Sequence, residues 1–374
     1  MGNENNKKEE KNTQENKPEC VLTNQITMDI IIFYNYEKKY ESINNEAINN
    51  KAINNNYIYI VCGLINGFIE IYSILNYKFK LTISFQAHRD IISKIIQLKN
   101  NGYLLTSSFD NSLKIFKLSR NCSKEELIYI FYLNVIFNRV NDVMEMSYSN
   151  NIIISVLNHI INFPVNKNTL SDNKNNLSDY NFTKIEHQKY YLDNLLEIDK
   201  DIFMSLDDKE TEILFFKVNL TEDIILIKTI ELKDFDKIEN DCENYEPNKK
   251  YIECLKPKYN CILLSDEYTL KIIDINYLEL VSVFQIRFNN DSFALSYNQK
   301  LSKIFFFELN KIYIYNISDE NGVLQIKKEE EKNVNNKYII NINEAQKIIN
   351  LPNNENKNII YYKKYLMIID LNNL

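Results

Sequence analysis

One hydrophobic hexamer recurs seven times along the chain, and it limits the available folds more than any other feature. Its pattern is apolar, any residue, apolar, large or aromatic, any residue, apolar. Copies occur at Ile69–Ile74, Leu113–Leu118, Ile160–Val165, Ile213–Val218, Leu270–Ile275, Ile312–Ile317 and Leu366–Leu371. The large position falls on Tyr72, Phe116, Phe163, Phe216, Ile273, Tyr315 and Ile369, so successive copies lie 42 to 57 residues apart. Alternation with a period of two marks a strand that buries one face; a helix repeats its apolar positions at longer intervals. Recurrence at this interval points to one supersecondary unit repeated in space.

A second β-rich run precedes each copy across a short polar turn. These runs are Tyr57–Leu64, Tyr103–Ser108, Ile152–Leu157, Ile202–Leu206, Cys261–Leu264, Lys303–Phe307 and Asn358–Tyr362. Asn66-Gly67 is the strongest hairpin signal among the turns. A further outer strand follows at Lys78–Phe85, Glu126–Leu133, Asp223–Leu232 and Leu280–Phe288. Four antiparallel strands in each of seven units predict an all-β, seven-bladed β-propeller, which leaves few open sheet edges. The last hexamer ends close to Leu374, so its outer strand has to come from elsewhere. Pro18–Asn24 is the predicted source, with Ile26–Tyr34 as the first inner strand. The domain reading is therefore a disordered tail over 1–17 and a single propeller over 18–374. Flexible insertions are expected near 35–56, 166–180, 234–248 and 350–357. The first, second and fourth join strands within a blade on one face; 234–248 joins two blades on the other.

Composition suits this reading. With 374 residues, 20 Phe and 26 Tyr, the chain can fill one large all-β core. Gly and Pro occur only five times each, and Asn takes over the turn positions because it tolerates left-handed backbone. A net charge of −7 with four Arg argues against direct nucleic-acid binding, which needs a concentrated basic surface. The first 19 residues are polar and no apolar run is long enough to cross a membrane, so a cytoplasmic or nuclear protein is expected. Six scattered cysteines, Cys20, Cys62, Cys122, Cys242, Cys254 and Cys261, form no C-x-x-C pair and read as free thiols.

The best-formed unit is Ala87–Leu118, AHRDIISKIIQLKNNGYLLTSSFDNSLKIFKL. It resembles a WD40 repeat. His88 stands at the glycine–histidine position, Asp110 in the turn between second and third strands, and Phe116 where the family carries tryptophan. The resemblance implies a buried hydrogen-bonded group of His88, Asp110 and a second-strand hydroxyl, Ser108 or Thr106. Phe116 lacks the indole donor that would complete it. It also implies a non-enzymatic scaffold or adaptor subunit of a multiprotein complex. Its partners would be proteins or peptides on the face of the blade-to-blade loops, with no homo-oligomer. An alternative is a noncatalytic subunit of an RNA-processing or RNA-modifying complex; a more distant one is a divergent propeller hydrolase. No Arg-Arg pair of the kind that marks phosphoinositide-binding propellers is present.

Little in the residues points to chemistry. His159 and His187 have no partners at metal-ligand spacing, and no metal or other cofactor is expected. The sequence has no G-x-S-x-G elbow, phosphate loop or G-x-G-x-x-G turn. The cluster from Asp207 to Glu212 sits at a hairpin turn and reads as solvated. The segment 234–248 sets Asp234, Asp236, Glu239, Asp241, Glu243 and Glu246 against Lys237, the composition of a docking loop for a basic partner.

Overall fold

A computed structural model describes residues 20–23, 27–34, 58–75, 78–99, 102–119, 122–132, 140–149, 151–156, 159–163, 183–186, 192–207, 212–219, 223–232, 251–255, 259–265, 269–285, 294–298, 301–308, 311–320, 323–333, 345–350, 357–362 and 365–370. Among them the fold is all-β and every sheet is antiparallel.

A short strand, β1 (Cys20–Leu22), leads into a sheet of β2 (Thr27–Tyr34), β3 (Ile58–Leu64), β4 (Phe68–Leu75) and β5 (Lys78–Gln86). The second sheet holds β6 (Ile92–Gln97), β7 (Leu104–Ser108), β8 (Ser112–Leu118) and β9 (Glu125–Tyr132). The third holds β10 (Val140–Glu145), β11 (Ile152–Val156), β12 (His159–Phe163) and β13 (Thr183–Glu186). The fourth has β14 (Leu192–Asp199), β15 (Ile202–Asp207), β16 (Glu212–Val218) and β17 (Ile224–Glu231). The fifth follows with β18 (Tyr251–Cys254), β19 (Cys261–Ser265), β20 (Thr269–Asp274) and β21 (Glu279–Gln285). β22 (Ala294–Asn298), β23 (Lys303–Glu308), β24 (Lys311–Glu320) and β25 (Val323–Asn333) make the sixth. The last consists of β26 (Ala345–Asn350), β27 (Lys357–Tyr362) and β28 (Tyr365–Asp370), with β1 as its fourth strand. There Cys20 lies opposite Met367 and Leu22 opposite Tyr365.

Consecutive sheets adjoin. β2 packs on β6, β6 on β10, β10 on β14 and β14 on β18, while β22 packs on β26. The fifth and sixth sheets share one core cluster, in which Leu263 and Leu270 meet Leu295 and Phe306. β2 also touches β26 and β27. Burial grades along each unit: β3, β11 and β15 are buried almost throughout, whereas β5 and β17 alternate toward solvent. A second strand between two sheet faces must be apolar on both sides, which is why it reads as a continuous run.

The large positions of the hexamers fall on β4, β8, β12, β16, β20, β24 and β28, the third strand of every sheet. Register explains the large residue at their fourth position. In five sheets the ladder between third and fourth strands slips at that residue: Tyr72, Phe116, Phe216, Ile273 and Tyr315. A bulge tightens the local twist and bends the strand, so a bulky side chain fills the space it opens against the next layer. Phe116 packs edge-on against Phe85 with ring centroids 5.3 Å apart, and Phe216 stacks on Phe203 at 5.2 Å.

First strands carry a second shared irregularity, with slips at Asp29, Lys94, Asp142 and Lys347. Two of these side chains tie one sheet to the next. Asp29 accepts the Ile95 N–H at 2.8 Å, and Asp142 accepts the Leu195 N–H at 2.8 Å. Lys94 completes the run with an ion pair to Asp142 at 3.0 Å. Buried carboxylates are tolerable here because charge-assisted bonds replace lost water.

Two fourth strands escaped the sequence reading, β13 and β25, whereas β1 falls within the predicted Pro18–Asn24 and pairs with β28. β25 reads VLQIKKEEEKN: Leu324 and Ile326 pack on the core cluster of the fifth and sixth sheets, but the charged remainder carries no apolar alternation to betray a strand. Ion pairs add to the ladder with β24, Lys303 of β23 to Glu329 at 2.8 Å and Lys311 of β24 to Glu331 at 2.6 Å. The tail 1–17 and the insertions 35–56, 166–180 and 234–248 lie largely or wholly outside the described residues. Of the fourth insertion, Asn350 closes β26 and Lys357 opens β27, so only 351–356 remains outside.

Candidate functional site

The site begins with a turn. Gly67, at φ +80°, donates its N–H to the Leu64 carbonyl at 3.1 Å. Its own carbonyl accepts the N–H groups of Ala87 and His88, at 3.0 and 2.9 Å. The β3–β4 hairpin thus fixes the backbone that leads into the second sheet, and His88 is turned inward, 1% exposed.

Side chains of β7, β8 and the turn between them close around the imidazole. Both Asp110 carboxylate oxygens lie 3.1 Å from His88 Nδ1, and Thr106 Oγ1 lies 2.8 Å from Nε2. Ser112 donates its hydroxyl to Asp110 Oδ1 at 2.5 Å and its N–H to the same oxygen at 3.1 Å. The Arg89 N–H reaches Oδ2 at 2.9 Å. An ionised carboxylate only accepts, so the imidazole proton sits on Nδ1, and Nε2 accepts from the Thr106 hydroxyl. Lys114 donates to the Ala87 carbonyl at 2.6 Å, a further tie between β8 and the same segment.

Electrostatics follow from burial. Desolvation lowers the His88 pKa, outweighing the Asp110 carboxylate, which raises it. Burial also pulls Asp110 upward, but the bonds from His88, Ser112 and the Arg89 N–H hold it well below the usual carboxylate range. At neutral pH the pair is a neutral imidazole bonded to a carboxylate, not an ion pair.

Asp110, His88 and Thr106 stand in the order carboxylate, imidazole, hydroxyl that hydrolytic triads use. Exposure separates the two cases. Thr106 is fully buried in the middle of β7, paired to Ile95 on one side and Lys114 on the other. A hydroxyl so placed cannot reach a substrate. The cluster is a clasp between the Ala87–Asp90 segment and the β7–β8 hairpin.

His88, Asp110 and Phe116 therefore lie in one unit, but Ser108 does not join them. It donates to the Asp90 carbonyl at 3.2 Å and accepts the Asp110 N–H at 3.0 Å, supporting the turn rather than the imidazole. Thr106 takes the imidazole partner. Phe116 stays buried against Phe85, 4% exposed, as an apolar wall without a polar contact in the clasp. Ser112 was absent from the sequence reading, although an Asp followed two residues later by Ser is a turn signal, and Gly67 was read there only as a hairpin turn.

The other candidates separate cleanly. Asp207 is not a solvated turn residue: it is buried, and its Oδ1 accepts the Glu212 N–H at 2.7 Å across the hairpin. His159 is buried in β12, and among the described residues no group of three His, Cys, Asp or Glu converges on a metal position. His187 and the acids Asp234, Asp236, Glu239, Asp241, Glu243 and Glu246 lie outside the described residues. Cys62, Cys122 and Cys261 are free thiols. Burial pushes the Cys122 thiol up to about 12 and raises Cys62 well above its ordinary value, so neither is an activated nucleophile. No helix among the described residues is long and apolar enough to cross a membrane. A scan of protein-family profiles finds no match to the chain, and a search of curated proteins finds none.

The clasp makes stability pH-dependent with a definite sign. Unfolded His88 takes a proton below about pH 6.5, whereas the folded imidazole resists it, so stability falls as pH drops through that value. Asp110, depressed in the fold, adds a second loss below about pH 4, where the unfolded carboxyl protonates first. Urea midpoints recorded from pH 8 to 5 are expected to fall. The same series for His88→Gln is expected to be flatter between pH 7 and 5, and parallel slopes would contradict the assignment.

Proposed function

We propose that this protein is a seven-bladed WD40-like propeller, closed by β1, serving as a non-enzymatic scaffold or adaptor subunit for other proteins. The observation that carries the reading is the sheet order: seven four-stranded units in sequence, with a strand from the N-terminal side filling the fourth place of the last. The His88–Asp110 clasp in the position that WD40 repeats use supports the family resemblance. A rigid arrangement of this kind holds many connecting segments in fixed relation, which favours recognition over chemistry. The one triad-like arrangement described is sealed from solvent, which weighs against hydrolysis.

Partners would be proteins or peptides bound on the face of the sheet-to-sheet connections. The 234–248 segment, between β17 and β18, would steer a basic partner through its six acids. The test is quantitative co-purification of the tagged full-length chain at two salt concentrations. The same is done for a variant with Asp234, Asp236, Glu239, Asp241, Glu243 and Glu246 changed to Asn or Gln. A stoichiometric, salt-sensitive partner is expected, with recovery from the variant lower by about tenfold. Recovery of the wild-type chain alone, as a monomer by light scattering after gentle lysis, would refute the scaffold reading.

A further inference from the structure

The outer strands of the molecule are unlike one another, and the difference marks a second surface. β5 exposes Lys78, Lys80, Ser84 and Gln86 around a single large apolar residue, Leu81. β9 exposes Glu125 and Glu126 beside Leu127, and β25 exposes Lys327, Lys328, Glu329, Glu330 and Glu331. Charges of this kind are how open sheet edges avoid pairing with other chains. β17 lacks that protection. Ile225, Leu226 and Ile227 are exposed in a row there, at 48%, 41% and 41%.

The neighbouring sheet continues the patch. Val281 and Val283 of β21 are exposed, and so is Tyr277 in the turn before it. The two strands are joined physically. Lys228 of β17 pairs with Glu279 at 3.2 Å and donates to the Tyr277 carbonyl at 3.1 Å. Beneath them, Ile230 and Leu280 pack on one core cluster shared by the fourth and fifth sheets. Among the described residues no strand pairs with the outer edge of β17.

We infer that β17 and β21 form a docking surface for an extended, apolar segment of another protein, added as a strand to the edge of β17 and flanked by basic residues. The edge offers main-chain hydrogen bonds, and the apolar row offers contacts at alternate positions. Charge decides the flanks. Asp223 and Glu231 are exposed at the two ends of the row, and Glu279 stands beside it. Lys228, the one cation among these residues, is already paired with Glu279.

The same charges disfavour a second copy of this chain. A two-fold antiparallel pair of β17 strands centred on Ile227 sets Asp223 opposite the copy's Glu231. Centring on Lys228 sets that residue against its own counterpart, and centring on Leu226 sets Lys228 against Ile224. Like charges directly opposite destabilise a strand pair.

The surface is independent of the scaffold face proposed above, and its test uses a defined probe. A labelled synthetic peptide of alternating valine and threonine with a lysine at each end is titrated into the full chain. Saturable binding is expected, with slowed amide exchange across residues 224–231. A glutamate-ended peptide should bind about tenfold more weakly, as should the lysine-ended peptide with Ile227→Glu. Leu127→Glu, on β9, should leave binding unchanged and controls for general loss of apolar surface. Binding that ignores the peptide's end charges or the Ile227→Glu change overturns the inference, as does no binding. So does concentration-dependent dimerisation abolished by Ile227→Glu, or Ile227-dependent binding to phosphatidylcholine or phosphatidylserine vesicles.

Discussion

Asp110→Ala lowers the free energy of unfolding by about 3 kcal/mol, because it removes the acceptor for several donors at once. The His88 ring and Ser112 are each 1% exposed; the Nδ1 proton retains Ser112 Oγ at 3.0 Å, whereas the Ser112 N–H has no water to turn to. A buried donor left without an acceptor costs about 1–3 kcal/mol. The Arg89 N–H lies near the surface and contributes less. Asp110→Asn separates charge from geometry. The amide oxygen can keep the Ser112 N–H, but its NH₂ faces the Nδ1 proton, and the imidazole must change tautomer. A smaller loss of about 1–2 kcal/mol is expected, with the acid limb assigned to Asp110 removed. Urea unfolding at pH 7.5 measures both variants. A loss below about 1 kcal/mol for Asp110→Ala would mean that the clasp does not hold the β7–β8 hairpin to the Ala87–Asp90 segment.

The clasp also shows how far residue patterns reach. Thr106 and Ser108 sit two apart on one strand and so point to the same side, leaving periodicity no means of choosing between them. The choice is made by the turn, because Ser108 lies beside Asp110 and is consumed in supporting it. Second strands were legible because both of their faces are buried and almost every position is apolar or small, and third strands because their apolar positions alternate, with Lys117 and Lys217 left exposed at the fifth. β13 and β25 were not, since an outer strand needs only a ladder partner on one side, and Lys–Glu pairs serve as well as valines. The bulges at Tyr72, Phe116 and Phe216 belong to register, which the hexamer reflects only through the size of one side chain. Asp29 and Asp142 read as isolated acids within apolar strands. Their role exists only when the next sheet presents a backbone N–H to them.

Gly67→Ala is expected to be as damaging as Asp110→Ala, although it deletes nothing. At φ +80° an L side chain is strained, at a cost of about 1–3 kcal/mol. The added Cβ would lie 2.3 Å from the His88 carbonyl oxygen and 2.9 Å from that of Asp90. Both obstacles are backbone, so no rotamer change relieves them, and the turn itself has to shift. That shift breaks the bonds from Ala87 and His88 to the Gly67 carbonyl, each worth about 1 kcal/mol. The expected loss is about 3 kcal/mol or more, read as a lower urea midpoint with an unchanged slope. Gly63→Ala makes the contrast: its Cβ would meet Ile92 Cγ2 at 2.7 Å and Ile95 Cδ1 at 2.8 Å. Those are side-chain atoms that can repack, for about 1–3 kcal/mol. Coupling distinguishes strain from a shared mechanism. If Gly67 acts by holding His88 in place, the double variant with Asp110→Ala should lose at least about 1 kcal/mol less than the sum of the singles. Strict additivity would mean that the hairpin turn and the clasp stabilise the molecule separately, and that the backbone of His88 does not depend on Gly67 for its position.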